Sequence, residues 1–407
     1  MKKILLVAII FISITHLGAQ PLERVFPSEV GLDRDQLSYA DKAIEKQIEL
    51  GNIPGAVLAV VKDGKMAYVK SFGKTSYQKQ ASKMSEHTIF DIASCTKSVA
   101  TAVAAMILIE RGELSLRDNV DNYIKDFNKN KIFEEKHYRV YVKNLMTHTS
   151  GLPPYVTMET LKENYDTLNR AAVIDYAKTT GLRYIPGDGF KYSCINYIVL
   201  QQIIEQISGQ SLRDFAKENI FAPLKMNHTD YLPLGNKTSK AWAKKKDIAP
   251  SEQPKKKPAL VGIVHDPLAR EINEGISGNA GVFSTAEDLA VFCAMILNNG
   301  KYHNTKILSP LAVRTMTSVP KNLSEFGRAP GWDVSSPFSS NMGDLFALES
   351  FGHTGTTGCS ITLDKENNMA IILLTNATLC SEYEAKNIVN LRSRVANCVA
   401  ASIEKLP

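Results

Sequence analysis

Strand patterns occur at the two ends of this 407-residue chain, and a long stretch with helix signals lies between them. Near the start, residues 55–61 and 65–72 form a predicted hairpin whose Asp63-Gly64 turn supplies the positive φ angles of a tight turn. Near the end, residues 359–363 and 369–374 flank a second turn. Strands at both termini around a helical middle predict one sheet assembled from both chain ends.

The fold class that follows is α+β, with an antiparallel sheet built from both chain ends, helices flanking it, and an inserted, mostly helical subdomain. We assign the sheet-containing part to about residues 20–112 and 341–407, and the helical part to about 113–340. The apolar and charged fractions, 44% and 22%, are ordinary for a globular protein and exclude a disordered chain. Helices are also predicted over residues 35–50 and 381–405.

The first residues have the pattern of an export signal. Two lysines precede an apolar run over residues 4–14, and Leu17-Gly18-Ala19 is typical of a small-residue cleavage site. The apolar run is too short to span a bilayer. We therefore predict a signal peptide over residues 1–19 and a mature domain over 20–407 that is periplasmic or secreted and has no stable membrane span. An uncleaved N-terminal anchor is the alternative.

Charge and cysteine usage limit the partners and cofactors. The formal net charge is +6, and much of the excess lies in two lysine runs, residues 244–246 and 255–257. Neither run has interleaved aromatic residues, so we predict no nucleic-acid partner. The six cysteines form no C-x-x-C pair and no metal-ligand spacing with histidine, so no metal site is predicted. Disulfide pairing and oligomeric state stay open.

Ser94-Cys95-Thr96-Lys97 places a serine and a lysine three residues apart at the start of a predicted helix. Side chains with this spacing share a helix face, so the amine can help to take the hydroxyl proton. The same spacing also begins at Ser71, Ser76, Ser318 and Ser402. Only Ser94 leads into an apolar run, residues 99–109, which indicates a buried helix. Free N–H groups in its first turn favour an oxyanion there.

Two further segments are expected to face Ser94 if the sheet and the helical part meet as predicted. Residues 186–193 form a turn that brings Tyr192 to the start of a helix. Residues 352–356, Gly-His-Thr-Gly-Thr, enter a C-terminal strand and contain glycines where a substrate can approach the backbone closely.

Ser94 with Lys97, then Tyr192, then His353-Thr354-Gly355 resemble the three sequence elements of the serine β-lactamase and penicillin-binding-protein superfamily, in particular its class C-like branch. Residues 145–152, 220–224, 265–267 and 281–285 resemble the same branch, and the resemblance covers about residues 27–405. It implies a β-lactamase/transpeptidase-like fold and acyl-enzyme catalysis with no metal or organic cofactor.

The resemblance also implies a role for each site residue. Ser94 is the nucleophile, and Lys97 and Tyr192 take its proton and deliver one to the leaving group. Which of the two is the base stays open, because their titrations would be coupled. The backbone N–H groups of Ser94 and Thr356 form the oxyanion hole. The residues expected to bind substrate are His353, Thr354, Gly355, Cys194 and Asn279.

Two positions depart from the family's pattern. Cys194 stands where the family commonly has asparagine, and a thiol cannot offer the donor and acceptor of an amide to an acylamino group. His353 stands where a lysine would hold a charge for a β-lactam carboxylate, and an unperturbed imidazole is mostly neutral at pH 7. We therefore predict an exported serine hydrolase of esters, small amides or D-amino-acid peptides, with weak or no β-lactam turnover.

Three alternatives stay open. The protein is an acyltransferase if the acyl group passes to an alcohol or amine, a true class C-like β-lactamase if β-lactams are turned over, or a sensor if it binds penicillins or cell-wall peptides without turnover. Other polar pairs, His148 with Ser150 and His265 with Asp266, are expected to order loops. Cys95 points away from Ser94 around the helix and is expected in the core.

Overall fold

The computed structural model describes residues 21–237, 239–240, 244, 247–254, 258–334, 342–380 and 384–406. The predicted signal peptide over residues 1–19 lies outside these residues. So does the lysine run 255–257, and only Lys244 of the other lysine run is described.

The longer strands lie near the two ends of the described chain, and the strands between them have two or three residues. They are β1 (Gly55–Lys62), β2 (Lys65–Gly73), β3 (Phe90–Asp91), β4 (Ile132–Phe133), β5 (Lys136–His137), β6 (Asp230–Tyr231), β7 (Val282–Ser284), β8 (Lys301–Tyr302), β9 (Thr305–Lys306), β10 (Arg328–Ala329), β11 (Trp332–Val334), β12 (Phe351–Thr354), β13 (Ser360–Asp364) and β14 (Met369–Thr375).

The α-helices of the described chain fall mostly between β3 and β10. They are α1 (Arg34–Glu49), α2 (Val103–Glu110), α3 (Val142–Met146), α4 (Met158–Asn164), α5 (Arg170–Thr179), α6 (Cys194–Ser208), α7 (Leu212–Ala216), α8 (Ala286–Leu297), α9 (Pro310–Thr317) and α10 (Ala385–Ala400). Short 3₁₀ and π turns add Pro27–Val30, Ala93–Cys95, Lys97–Ala102, Val120–Asn122, Lys217–Phe221, Leu268–Ile272, Lys321–Phe326 and Ala377–Leu379.

Seven antiparallel strands form the main sheet, in the order β10-β11-β12-β13-β14-β1-β2. β1 pairs with β14 from Ala56 opposite Thr375 to Lys62 opposite Met369, which joins the two chain ends as predicted. The hairpin between β1 and β2 turns through Asp63 and Gly64, whose φ angles are 51° and 73°. The α+β class with a sheet built from both chain ends is confirmed.

The boundary of the helical part differs from the prediction. β10 and β11 lie before residue 341 and yet belong to the main sheet, so the sheet-containing part begins again earlier than expected. Strands of two and three residues are too short to show an alternating pattern, and their place is set by pairing with β12.

Helices cover both faces of the sheet. On one face α1 and α10 bury a cluster that includes Leu37, Ile44 and Leu391 against alternate side chains of β1 and β14. On the other face α2 and α8 belong to a larger core that also contains Trp332 and Phe351. The strands are therefore buried on both sides. The helical run that carries Ser94 lies on the side of the sheet covered by α2 and α8.

The helical run Ala93–Glu110 is the central element of the larger core. By length and composition it is apolar enough to cross a membrane, but 83% of it is buried inside the protein. It begins as a 3₁₀ turn, continues as a π turn over Lys97–Ala102 and becomes α-helical only in α2. In the π turn, Ser98 Oγ donates to Gly331 O at 2.5 Å and Thr101 Oγ1 donates to Gly278 O at 2.8 Å. Both acceptors lie in distant segments, and π turns of this kind are frequent at functional sites.

A buried lysine binds the carbonyl groups at the C-terminal end of α5. Lys131 is fully buried, and its ammonium donates to the carbonyl oxygens of Ala177, Lys178 and Thr180 at 2.7, 2.9 and 2.9 Å. A cation at a helix C-terminus satisfies carbonyls that have no partner within the helix. We expect Lys131→Met to lower the free energy of unfolding by about 2–4 kcal/mol, because three backbone carbonyl acceptors at the end of α5 lose a charged donor.

Chemical denaturation of the purified variant measures this effect. Lys129→Met, an exposed lysine two residues earlier, is the matched control and is expected to change the unfolding free energy by less than about 0.5 kcal/mol. Equal denaturation midpoints for the two variants would show that the Lys131 contacts do not stabilise the fold.

Candidate active site

A strained backbone elbow presents Ser94. Ala93, the residue before it, has a φ of 47°, a value that non-glycine residues rarely adopt. Two hydrogen bonds to the buried carboxylate of Asp91 hold this conformation: Oδ1 accepts from Ala93 N at 2.8 Å, and Oδ2 accepts from His265 N at 2.7 Å. Such strain persists only where surrounding contacts impose it, and it is concentrated at functional sites.

Lys97 is buried next to Ser94, with no solvent exposure. Its Nζ donates to Ser94 Oγ at 3.0 Å, to the backbone oxygen of Asn279 at 2.8 Å and to Cys194 Sγ at 3.6 Å. These three acceptors account for the three protons of an ammonium. Burial disfavours the charge, but the thiol of Cys194 and the phenol of Tyr192 offset this, and the pKa of Lys97 lies above its ordinary value.

Tyr192 lies beside both Lys97 and Ser94. Lys97 Nζ is 4.9 Å from the centroid of the Tyr192 ring. The hydroxyl of Tyr192 is buried and forms no well-aligned hydrogen bond with a described residue, but it lies close enough to Lys97 and Ser94 for both to favour a lower pKa. Burial raises the pKa of Tyr192, and the adjacent Lys97 ammonium opposes this shift without cancelling it. At neutral pH the pair is therefore an ammonium and a neutral phenol.

The end of β12 lies directly against the elbow. A Cβ atom on Gly355 would come within 2.6 Å of the oxygen of Ile92 and 3.1 Å of the Cβ of Ala93, so only glycine fits this position. Thr356, the next residue, is exposed. Behind it, the buried Arg392 donates to the oxygen of Gly355 at 2.7 Å and to that of Cys359 at 2.9 Å, which anchors the turn.

His353 and Thr354 occupy the same strand. His353 is 6% exposed, and Thr354 N lies 2.9 Å from its Nδ1. Burial and the nearby charge of Lys97 lower the pKa of His353 to about 3. The imidazole is therefore neutral at pH 7, whereas Thr354 is partly exposed toward solvent. His353 cannot supply the fixed positive charge that a lysine would give.

Cys194 and Asn279 both contact Lys97, but they differ in their exposure to solvent. Cys194 is partly exposed and lies beside Lys97. Asn279 is almost fully buried; its backbone oxygen binds Lys97, and its amide donates to Asp266 Oδ1 at 3.2 Å. The side chain of Asn279 is also held by Ser277 and lies beside Cys194, so its predicted contact with substrate stays a prediction, whereas its backbone oxygen holds the lysine.

The segment that contains His148 supports the segment that contains Tyr192. Ser150 Oγ donates to Asn196 Oδ1 at 2.6 Å and is buried, which leaves it no role as a nucleophile. His148 packs on the ring of Tyr192, with centroids 4.4 Å apart. The expectation that Ser150 orders a loop fits these contacts, but His148 lies closer to the site than the sequence indicated.

One cationic residue near the site was not anticipated from the sequence. Arg328 in β10 is 7% exposed, and its guanidinium packs 4.5 Å from the centroid of the Phe190 ring. Its Nη2 lies 3.5 Å from Asp333 Oδ1, and its Nε is buried with no hydrogen-bond partner within the described ranges. Its charge also helps to lower the pKa of His353. No motif marks this residue, because pairing of β10 with β11 brings it there.

The arrangement suits nucleophilic catalysis. A serine hydroxyl at the start of a helix is hydrogen-bonded to a buried lysine, and a phenol with an unused hydroxyl lies beside both. Across the described parts of the chain, no group of three or more His, Cys, Asp or Glu side chains is arranged to hold a metal ion. The lysine and the phenol are placed to move a proton to and from Ser94 Oγ.

We expect no inflection from a titrating histidine in the pH dependence of activity. His353 has a pKa of about 3, and burial with the charges of Arg328 and Lys97 places that of His148 well below 6.5. The pair of Lys97 and Tyr192 loses a proton only at alkaline pH, because both pKa values lie above their ordinary ones. We expect kcat/KM for p-nitrophenyl acetate to rise steadily toward pH 9. An inflection near pH 6.5 that disappears in His353→Asn would contradict this assignment.

Comparison with known proteins places this site in a family. The beta-lactamase family model matches residues 40–394. A protein of Escherichia coli O157:H7 named as a D-alanyl-D-alanine carboxypeptidase is 30% identical over 373 residues, 86% of this chain and 84% of that protein. The N-acetylmuramyl-L-alanine amidase of Bacillus subtilis (strain 168) is 30% identical over 364 residues, 84% of this chain and 81% of that protein.

A solved structure agrees with the fold. EstCE1, described as a hydrolase with promiscuous acyltransferase activity, matches with a TM-score of 0.69 at 19% identity, covering 90% of this chain and 99% of that one. The family model spans the elbow, the tyrosine segment and β12, and each of the two relatives covers more than four fifths of the chain. The chain therefore belongs to the beta-lactamase family and is a serine hydrolase.

Proposed function

We propose that the protein is an exported hydrolase that takes acyl groups from D-amino-acid peptides, small amides or esters onto Ser94. The observation that carries the proposal is the buried Lys97 ammonium, 3.0 Å from Ser94 Oγ, with the unpartnered hydroxyl of Tyr192 beside it. The relatives named as carboxypeptidase and amidase support an amide or peptide substrate.

In the proposed reaction the pair of Lys97 and Tyr192 first loses one proton. Ser94 Oγ then forms a bond to the carbonyl carbon and passes its own proton to this pair. The bond from carbon to the leaving nitrogen or oxygen breaks, and the pair returns the proton to the leaving group. Backbone N–H groups of Ser94 and Thr356 stabilise the oxyanion, and water, activated by Tyr192, hydrolyses the ester.

Arg328 supports a substrate that carries a carboxylate. His353 is neutral, so the positive charge that would bind such a group has to come from elsewhere. Arg328 supplies a buried guanidinium near His353, with one N–H group free of protein partners among the described residues. An arginine fork matches a carboxylate in shape and charge. The terminal carboxylate of a D-alanyl-D-alanine peptide is a ligand of this class.

Substitution of Arg328 tests this assignment. We expect Arg328→Gln to lower kcat/KM for a D-Ala-D-Ala peptide by about 10- to 100-fold, mainly through KM, because a charge-assisted hydrogen bond is lost. p-Nitrophenyl acetate, which has no carboxylate, should change by less than about twofold. Arg328→Lys keeps the charge and is the control. Equal losses on both substrates would show that Arg328 only holds Phe190 and Asp333 in place.

A substrate panel tests the reaction class. p-Nitrophenyl esters, D-amino-acid amides, D-Ala-D-Ala peptides and nitrocefin are supplied to the wild type and to Ser94→Ala. We expect turnover of at least one ester, amide or peptide by the wild type, slow or no nitrocefin hydrolysis, and none of these activities in the variant. Nitrocefin hydrolysis at the rate of a dedicated β-lactamase would identify a β-lactamase instead.

Acyl transfer is the second candidate, because the same acyl-enzyme can react with an alcohol or amine. Its support is the fold shared with EstCE1 and that protein's described activity. Product analysis with competing alcohols and amines distinguishes the two fates. Export rests on the sequence pattern of residues 1–19, and the N-terminal residue of protein recovered outside the cytoplasm tests it: Gln20 is expected, and Met1 would contradict cleavage.

A further inference from the structure

The orientation of Tyr192 has to be explained, because its hydroxyl does not fix it. Tyr192 Oη forms no well-aligned hydrogen bond with a described residue, although it lies near Ser94 and Lys97, with which the proposed reaction requires it to exchange protons. A phenol without such a bond is oriented by its backbone and by the groups that pack on its ring. Three groups lie near the ring: His148 at 4.4 Å, Lys97 Nζ at 4.9 Å and His353 at 6.0 Å from its centroid.

His148 contacts the backbone on both sides of Tyr192 as well as the ring. The N–H of Lys191 donates to the backbone oxygen of His148 at 3.1 Å. The N–H of Ser193 donates to the side-chain Nδ1 of His148, also at 3.1 Å. A single residue therefore holds the position before the tyrosine, the position after it and the ring between them.

His148 is itself held firmly. Its backbone has a φ of 58°, and its oxygen also accepts from Tyr184 Oη at 3.1 Å. The imidazole is almost fully buried, and its second ring contact is Tyr197, 5.1 Å away. Tyr197 in turn donates from Oη to the oxygen of Met146 at 3.0 Å. Rigid support of this kind lets a side chain transmit its position to a neighbour.

The hydrogen bond from Ser193 requires an uncharged imidazole. Nδ1 accepts that bond, so it carries a lone pair, and a proton there would face the N–H donor. The charged or titratable groups that face His148 are Arg328, Lys97, His353 and the phenols of Tyr192 and Tyr197. The cations among them disfavour protonation, as does burial. The supporting geometry thus persists over the pH range in which the enzyme would act.

We propose that His148 is a positioning residue for Tyr192, holding the phenol in line with Ser94 and Lys97 through two backbone contacts and one ring contact. The proposal rests on the proposed acyl-enzyme function. In this proposal His148 affects the reactivity of Ser94, although none of the hydrogen bonds described above joins it to Ser94 or Lys97.

The test is a double-mutant cycle between His148 and Tyr192, read out as the rate of Ser94 labelling by a fluorophosphonate. In this labelling the Lys97 and Tyr192 pair first loses one proton to solvent; Ser94 Oγ then bonds to phosphorus, fluoride leaves and the serine proton goes to the pair. His148→Phe keeps a ring but loses the acceptor; His148→Asn keeps an acceptor and tolerates the positive φ. We expect each to slow labelling about 10- to 100-fold, since small displacements of a catalytic group have effects of this size.

In a Tyr192→Phe background the same His148 substitutions should slow labelling by less than about twofold, because their effect passes through the missing hydroxyl. Ser150→Ala, which disturbs the same segment without touching Tyr192, should have equal effects in both backgrounds. Thermal unfolding of each variant identifies any that fail to fold, and His148→Asn is the variant expected to fold most readily.

The outcomes separate the two proposals. Wild-type protein that is not labelled on Ser94 overturns the proposed function itself. Wild-type protein that is labelled, together with His148 effects that are equal with and without the Tyr192 hydroxyl, overturns the positioning role and leaves His148 as a structural residue. Folded His148 variants that are labelled at the wild-type rate overturn it as well.

Discussion

Replacing Lys97 by methionine is expected to lower kcat/KM by about 10⁴-fold, with a smaller loss of stability than in Lys131→Met. The activity falls because Ser94 loses the group that is hydrogen-bonded to its Oγ and shares its proton. Stability changes less than in Lys131→Met, because only one of the three acceptors of Lys97, the oxygen of Asn279, is a backbone carbonyl, and the loss of its donor is partly offset by removal of a fully buried charge. Steady-state kinetics and a melting curve on the same sample measure both effects.

The matched control is Lys191→Met, an exposed lysine adjacent to Tyr192 whose only contact described above is through its backbone N–H. We expect it to keep wild-type kinetics. If Lys97→Met retained more than a tenth of the activity while melting like the wild type, the serine would have to be activated by another group, and the central role given to this lysine would be wrong.

Replacing Tyr192 by phenylalanine is expected to lower kcat/KM by about 10²- to 10⁴-fold with little change in stability. The substitution removes only one oxygen, and that oxygen has no hydrogen-bond partner in the described protein, so no folding contact is lost. The rate falls because proton transfer by a positioned side chain contributes an effect of this size. Pre-steady-state kinetics can show whether acylation, deacylation or both are slowed.

Tyr197→Phe serves as the control, because we expect it to lower the stability of the fold while affecting the rate much less. Its hydroxyl donates to the oxygen of Met146 at 3.0 Å, so its removal should destabilise the fold by about 1 kcal/mol. It is not hydrogen-bonded to Ser94 or Lys97, so its effect on the rate should be much smaller than that of Tyr192→Phe. A Tyr192→Phe variant that melts well below the wild type and keeps its rate would show that the hydroxyl has a structural function only.

The fold was predictable where local chemistry decides it. The Asp63-Gly64 turn, the apolar strand segments near both termini and the apolar run behind Ser94 are local patterns, and the strand segments indicated a sheet built from both chain ends. The exceptions depend on distant partners. β10 and β11 are defined by pairing with β12, and the π turn over Lys97–Ala102 is held by acceptors in segments far along the chain.

In the active site, too, contacts between residues close in sequence were predictable, and contacts between distant segments were not. Ser94 and Lys97 are one helical turn apart, so their contact follows from spacing. Tyr192 and His353 were identified by resemblance, and the fold brings them within 6.0 Å of each other, ring to ring. The roles of His148, Arg328 and the backbone oxygen of Asn279 were not foreseen, because each arises from a contact between segments that only the packed core brings together.

The most direct test of the central claim is intact-mass spectrometry of the protein after brief exposure to a fluorophosphonate, followed by peptide mapping. The account predicts one added phosphonyl group, located on Ser94 and absent from Ser94→Ala and from heat-unfolded protein. Labelling at another residue, or labelling of Ser94→Ala to the same extent as the wild type, would contradict the assignment of Ser94 as the nucleophile of this enzyme.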